Sequence, residues 1–166
     1  MGVMDMEREE IDINTLINEN KTNHYKLLTI IGNNPSKVEL ISEYLKKRGW
    51  QVHDVEEKVF EISEDIPYDK VKLRIGREIK KWVQELDDHA VLINSNILYS
   101  EDMGKINPFN AFKYTMRGNK EGVLFLDAKL KGGHAVYSTP DRPDYQEFEL
   151  TDVLFVDIKK IRVPGD

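Results

Sequence analysis

Apolar residues along the chain fall into two kinds of pattern, and their alternation sets the first expectation. Short, nearly continuous apolar runs at "YKLLTII" (25–31), "HAVLIN" (89–94) and "GVLFLDA" (122–128) predict strands buried on both faces. "WQVHDV" (50–55) alternates and predicts another strand, and "DVLFVDIKKI" (152–161) predicts the last one. Between these runs the spacing changes to threes and fours. From Pro35, Val38, Leu40, Ile41, Tyr44 and Leu45 mark one face of a helix that Gly49 ends. After Pro67 the series Val71, Ile75, Ile79, Val83 and Leu86 gives the clearest helical stripe in the chain. A further helix carries Phe109, Phe112 and Met116 and stops at Gly118.

The ends and joints carry less pattern. Residues 5–20 mix acids with Ile11, Ile13, Leu16 and Ile17, as in a short amphipathic helix, and Asn18–Asn23 follows as a loop. The acidic stretch Glu56–Asp65 supports no element by periodicity. Gly132-Gly133 marks a turn, after which "AVYST" runs into the proline-containing loop "TPDRPDYQEF". Helices alternating with buried strands predict an α/β chain of three layers around a mainly parallel sheet. The expected organisation is an N-terminal helical arm over residues 1–24 and a single α/β domain over 25–166.

Composition narrows the function classes. At 166 residues, 40% apolar and 33% charged, the chain suits one globular domain. No run reaches the length of a membrane span, and the polar start does not resemble a signal peptide, so a cytoplasmic protein without a membrane is expected. The absence of cysteine removes disulfides, thiolate metal sites and a cysteine nucleophile. A net charge of −6 opposes direct nucleic-acid binding by bulk electrostatics. The dense basic clusters, Lys46-Lys47-Arg48 and Lys159-Lys160, are short and read as solvated element ends.

One stretch carries candidate chemistry. In "TIIGNNPSKVELI" (29–41) a buried strand meets a glycine, a short polar loop, a lysine and a helix. That is the layout of a phosphate-binding loop, in which backbone N–H groups wrap a phosphate at a helix N-terminus and a lysine reaches the outer phosphates. The match is incomplete. "GNNPSK" is one residue short of G-x-x-x-x-G-K, Ser36 stands where the second glycine belongs, and Val38 replaces the hydroxyl that would hold Mg²⁺. The acid expected at the end of a later strand is Asn94, a poorer metal ligand. Both metal contacts are thus missing together, which predicts loss of hydrolysis.

Other chemistry is weaker. Asp127-x-Lys129 is half of a nuclease-type metal motif, with Asp102 the nearest upstream acid. His24, His53, His89 and His134 share no spacing suited to a metal. The adjacent acids Glu56-Glu57, Glu64-Asp65 and Asp87-Asp88 read as solvated ends, and Trp50 and Trp82 as core or interface residues.

The order of these pieces resembles the BrxF family, small P-loop-fold proteins of type 3 BREX bacteriophage-exclusion systems. The resemblance spans roughly residues 26–158 and is carried best by the tail, where Tyr137, Pro140, Pro143 and Tyr145 match a Tyr–x–x–Pro–x–x–Pro–x–Tyr pattern before a final apolar strand. "INPFNAF" (106–112) stands where the family has a proline-started helix. The resemblance implies a sheet of P-loop NTPase type with a degenerate phosphate-binding loop. It implies that Gly32, Asn33, Asn34, Ser36 and Lys37 face nucleotide, with Asn94 at the metal-acid (Walker B) position and Asp127 at the sensor position. No catalytic or metal-ligating residue is expected; ATP would be held weakly at best, and Mg²⁺ is not expected. Function would then lie in protein contacts with larger ATPase, methyltransferase, helicase or phosphatase-like components of an antiviral defence complex, or with a second copy of the chain. The acidic N-terminal helix and the loop Thr139–Tyr145 are the candidate surfaces. The alternatives are an ATP-binding protein or slow ATPase using Lys37, and a DNA-contacting module.

Overall fold

A computed structural model describes residues 10–104 and 106–165. Five strands form the central sheet: β2 (Leu27–Ile31), β3 (Gln51–Asp54), β4 (His89–Ile93), β5 (Glu121–Leu126) and β9 (Phe155–Asp157). They lie in the order β3-β4-β5-β2-β9, and all four pairings are parallel. Strands β2 and β5 are buried along their whole length, which is why their sequences are continuously apolar.

Side-chain alternation along β2 divides the core in two. Leu28 and Ile30 pack with Ile41 and Leu45 of α2 (Pro35–Lys46) and with Ile13 and Leu16 of α1 (Ile13–Asn20). Leu27 and Ile31 face the opposite layer. There Val55 and Val59 of α3 (Val55–Glu64) join Ile75, Ile79 and Val83 of α4 (Val71–Gln84). Phe109 and Phe112 of α5 (Pro108–Lys113) complete that layer. Helices on both faces of a parallel sheet give the layered α/β architecture that the alternating pattern predicts.

Several joints differ from the sequence reading. The unassigned acidic stretch is α3. Asp54 caps it by accepting from the Glu57 amide at 3.1 Å, and Glu56 and Glu57 lie in its first turn, where the helix dipole favours carboxylates. Its apolar face, Val55, Val59 and Ile62, was hidden among acids. The predicted loop–helix after β4 begins instead as two 3₁₀ turns, Ser95–Tyr99 and Glu101–Met103, and α5 ends at Lys113, short of Met116.

The tail is not a plain loop. It is an antiparallel sheet of β6 (Lys129–Lys131), β7 (His134–Tyr137) and β8 (Gln146–Glu149). Tyr137 stacks on the fully buried Tyr99 with ring centroids 4.0 Å apart, and Phe148 stacks on Phe109 at 5.8 Å. These pairs dock the small sheet against the α5 layer. Residues 138–145, with Pro140 and Pro143, connect β7 to β8. The predicted last strand is interrupted: β9 ends at Asp157, a 3₁₀ turn spans Ile158–Lys160, and β10 (Ile161–Arg162) pairs with β1 (Ile11–Asp12). Through that pairing, and a 3.1 Å Arg162–Asp12 contact, the first described residues are tied to the end of the chain. Ile13 is fully buried. The part of the expected first helix over residues 5–9 lies outside the described residues. No helix among the described residues is long and apolar enough to cross a membrane.

Candidate functional site

The carboxyl ends of β2, β4 and β5 open on one side of the sheet. There the chain leaves β2 for the α2 layer and leaves β5 for the opposite layer, a reversal of the kind that makes a crevice in parallel sheets. A cavity of ≈ 500 Å³ occupies this end, lying against α2. Its size is that of a small-molecule site.

Only three residues, Gly32, Asn33 and Asn34, link β2 to α2. Gly32 sits at φ +139, and its N–H donates to the Leu126 carbonyl at 3.0 Å, tying the loop to β5. Asn34 caps α2, its side chain accepting from the Lys37 amide at 3.1 Å, and Pro35 fits the first turn because it has no N–H to satisfy. Of the amides from Gly32 to Lys37, two are therefore committed within the fold and one is absent. Too few are left to converge on a phosphate as a longer glycine-rich loop does. The Lys37 ammonium donates to the Lys159 carbonyl at 3.4 Å, on the β9 side of the helix. Neither Ser36 nor Lys37 lines the cavity, whereas Gly32, Asn33, Asn34, Asn94 and Asp127 do.

The ends of β4 and β5 are locked by amide side chains. Asn94 takes the left-handed conformation (φ 56, ψ 39), which asparagine tolerates better than most residues. Its Nδ2 donates to Asp54 Oδ2 at 2.9 Å. Ser95 Oγ donates to the Phe125 carbonyl at 3.1 Å. Asn96 clasps the backbone of Asp127 by donating to its carbonyl at 3.0 Å and accepting from its N–H at 3.3 Å. Asn33 Nδ2 reaches Asp127 Oδ2 at 3.4 Å. Partial burial raises the Asp127 carboxyl above its ordinary range.

Sequence reasoning missed Asp54, Asn96 and the acids of the rim. Asp54 was legible as the start of D-x-x-E, a capping-box pattern ending at Glu57. Its pairing with Asn94 was not, because that depends on the register of β3 against β4, where Asp54 lies opposite Ile93. The rim carries Glu39, Glu43 and Glu56 together with Asp127, against one ammonium, Lys46. The floor includes Val38, Val52, Ile93 and Phe125. With Lys37 turned aside, Val38 lacking an oxygen, and Asn94 committed to Asp54, these residues do not fit a magnesium triphosphate.

The remaining candidates are dispersed. Asp127 and Asp102 line different cavities, so the two acids of the nuclease-type motif do not meet. His53, His89 and His134 each approach a separate carboxylate, that of Asp87, Glu121 and Glu149. No group of three or more histidines and acids among the described residues could hold a metal ion. Of the basic clusters, Arg48 lies over the Tyr44 ring at 3.5 Å and Lys159 approaches Asp157 at 3.7 Å. Comparison with family models, with curated proteins and with solved structures gives no match to this chain.

Proposed function

We propose that this chain is a non-hydrolysing accessory protein of P-loop type that acts by protein contacts within a BREX-type phage-exclusion complex. The single observation that carries the non-hydrolytic part is the aim of Lys37, which is bonded to the Lys159 carbonyl outside the cavity. A triphosphate at the carboxyl ends of the strands would meet Glu39, Glu43, Glu56 and Asp127 in place of that ammonium. A net excess of like charge of this kind, with Lys46 as the one ammonium beside it, disfavours an anionic ligand.

Two features support the P-loop kinship. The polar loop after β2 leads directly into a helix, and β5, which precedes Asp127, lies between the loop strand β2 and the Asn94 strand β4. This is a fold-level analogy, joined to the tail pattern of Tyr137, Pro140, Pro143 and Tyr145. The tail also supplies a partner surface, because its strands are docked by Tyr137 and Phe148 while Pro140 and Arg142 in the connecting loop are exposed.

Titration calorimetry of the purified chain with ATP and Mg²⁺, with Lys37→Ala alongside, tests the chemistry. The expected result is no saturable heat for either protein. Saturable micromolar binding that Lys37→Ala abolishes would overturn it and restore the ATP-binding alternative. For the biological assignment, deletion of the gene from a host carrying the remaining defence components should raise phage plating efficiency, and the Lys37→Ala allele should restore protection.

A further inference from the structure

We propose that the outer face of the α3–α4 pair docks a second copy of this chain, each copy laying its acidic helix on the basic helix of the other. The inference goes beyond the reading above and does not depend on it, since it uses no residue of the loop or the cavity.

The two helices lie on one side of the sheet, where Val55, Val59, Ile75, Ile79 and Val83 share a core. Their outer stripes meet solvent with opposite signs. On α3 the exposed residues include Glu57, Glu61 and Glu64, spaced by four and three. On α4 they include Arg77, Lys80 and Lys81, with Arg74 half-buried beside them. α4 holds five cations and a single acid, Glu78, in a chain whose net charge is −6. Apolar core residues separate these cations in sequence, and helical phase gathers them on one side. Like charges three and four residues apart repel within each stripe. Little within the fold relieves them. The ion pairs Lys58–Glu61 at 3.4 Å and Lys81–Glu78 at 3.9 Å each stay within one helix. The side chains of Glu57, Glu64, Arg74, Arg77 and Lys80 have no ion-pair partner among the described residues.

Charged surface helices are common, and apolar side chains supply the second observation. Of the five large apolar residues that stand exposed among the described residues, three belong to this segment. They are Phe60 on α3 at 51%, Tyr68 in the turn between the helices at 87%, and Leu73 on α4 at 84%. Leu73 stands one helical turn from Arg77, within the basic stripe. A phosphate backbone would leave that leucine uncovered and would meet the glutamates of α3 beside the cations. The fitting partner offers both signs together with apolar surface, and a second copy has all three in the required arrangement. With a two-fold axis running between the helices, α3 of each copy faces α4 of the other, and Leu73 faces the helix that bears Phe60. The 14 residues of α4 make it about 21 Å long, and two helices side by side span about 20 Å. Such faces bury about 1,000 Å² in total, the low end for a specific contact. A weak, salt-sensitive dimer follows.

Sedimentation velocity over a concentration series tests it. The chain should dimerise with a Kd of roughly 10–100 µM at low salt, weakening about fivefold when the salt is raised tenfold. Two triple variants reverse the stripes one at a time. Arg77→Glu, Lys80→Glu and Lys81→Glu make the α4 stripe acidic like that of α3, and Glu57→Lys, Glu61→Lys and Glu64→Lys make the α3 stripe basic like that of α4. Each triple variant alone should be monomeric, with an unchanged far-ultraviolet circular dichroism spectrum because all six positions are exposed. Mixed in equal amounts, the two should associate, since an all-acidic face then meets an all-basic one. Leu73→Ser in the otherwise unaltered chain should weaken the dimer about tenfold. A monomer at every concentration, a dimer indifferent to the reversals, or mixed variants that stay apart would overturn the proposal. So would a chain that does not self-associate but binds a short DNA duplex and loses that binding on the α4 reversal, which would give the face to nucleic acid.

Discussion

Replacing Gly32 by alanine separates an architectural glycine from a phosphate-binding one. The residue sits at φ +139, a conformation that side-chain-bearing residues rarely adopt and that costs of the order of 1–3 kcal/mol when imposed. A Cβ built there lies 2.6 Å from Ile158 Cγ2 and 3.6 Å from Ile158 Cβ. Ile158 is 3% exposed and packed in the core beneath the loop, so it cannot swing into solvent. Overpacking of this kind adds roughly 1–3 kcal/mol. Together the two effects predict a loss of about 3–4 kcal/mol in urea-induced unfolding. Ile158→Ala removes the clashing methyl but opens a cavity, costing about 2–4 kcal/mol by itself. The double variant should be more stable than the sum of the single losses by about 1–3 kcal/mol, the steric share, while the backbone strain persists. If Gly32→Ala changes stability by less than about 0.5 kcal/mol, the loop is free to move and does not hold Lys37 or the cavity in one geometry. If the loss is large but Ile158→Ala gives no coupling, the backbone alone carries it.

Two further outcomes follow from the carboxylates at the strand ends. Asn94→Asp would replace a 2.9 Å amide–carboxylate hydrogen bond to Asp54 with two facing carboxylates, lowering stability at pH 7 by about 2 kcal/mol. One carboxyl of that pair has its folded pKa raised, so the penalty is absent below the unfolded value of about 3.9 and develops as pH rises through the folded value, a profile that thermal unfolding across pH would read. If Asn94→Asp instead confers ATP turnover, the geometry drawn for Asn94 is wrong. Asp127 is also raised above its ordinary value, by burial, so its stabilising contribution is present at low pH and lost as the carboxyl ionises. Asp127→Asn should therefore raise the melting temperature at pH 7, with the gain vanishing at low pH where both side chains are neutral; a lower melting temperature at pH 7 would show that the charge is needed.

What the sequence determined by itself is the alternation of buried strands and amphipathic helices, because burial and helical phase are written in local spacing. Leu27–Ile31 and Glu121–Leu126 had to be interior strands, and the stripe Val71–Ile75–Ile79–Val83 had to face a core. The helix over Val55–Glu64 was partly legible too, through the D-x-x-E cap at its start. Tertiary structure alone decided the rest. That Asp54 meets Asn94 depends on strand register, and that Tyr137 stacks on Tyr99 depends on a hairpin folding back across the α5 layer. The direction of Lys37 depends on where Lys159 is brought by the 3₁₀ turn that follows β9, 122 residues away along the chain. A motif records which residues stand near one another in sequence. Whether their side chains face one cavity is fixed by the path of the backbone between them and by contacts with distant segments, and here a three-residue loop and an early helix cap turned the lysine to the other side.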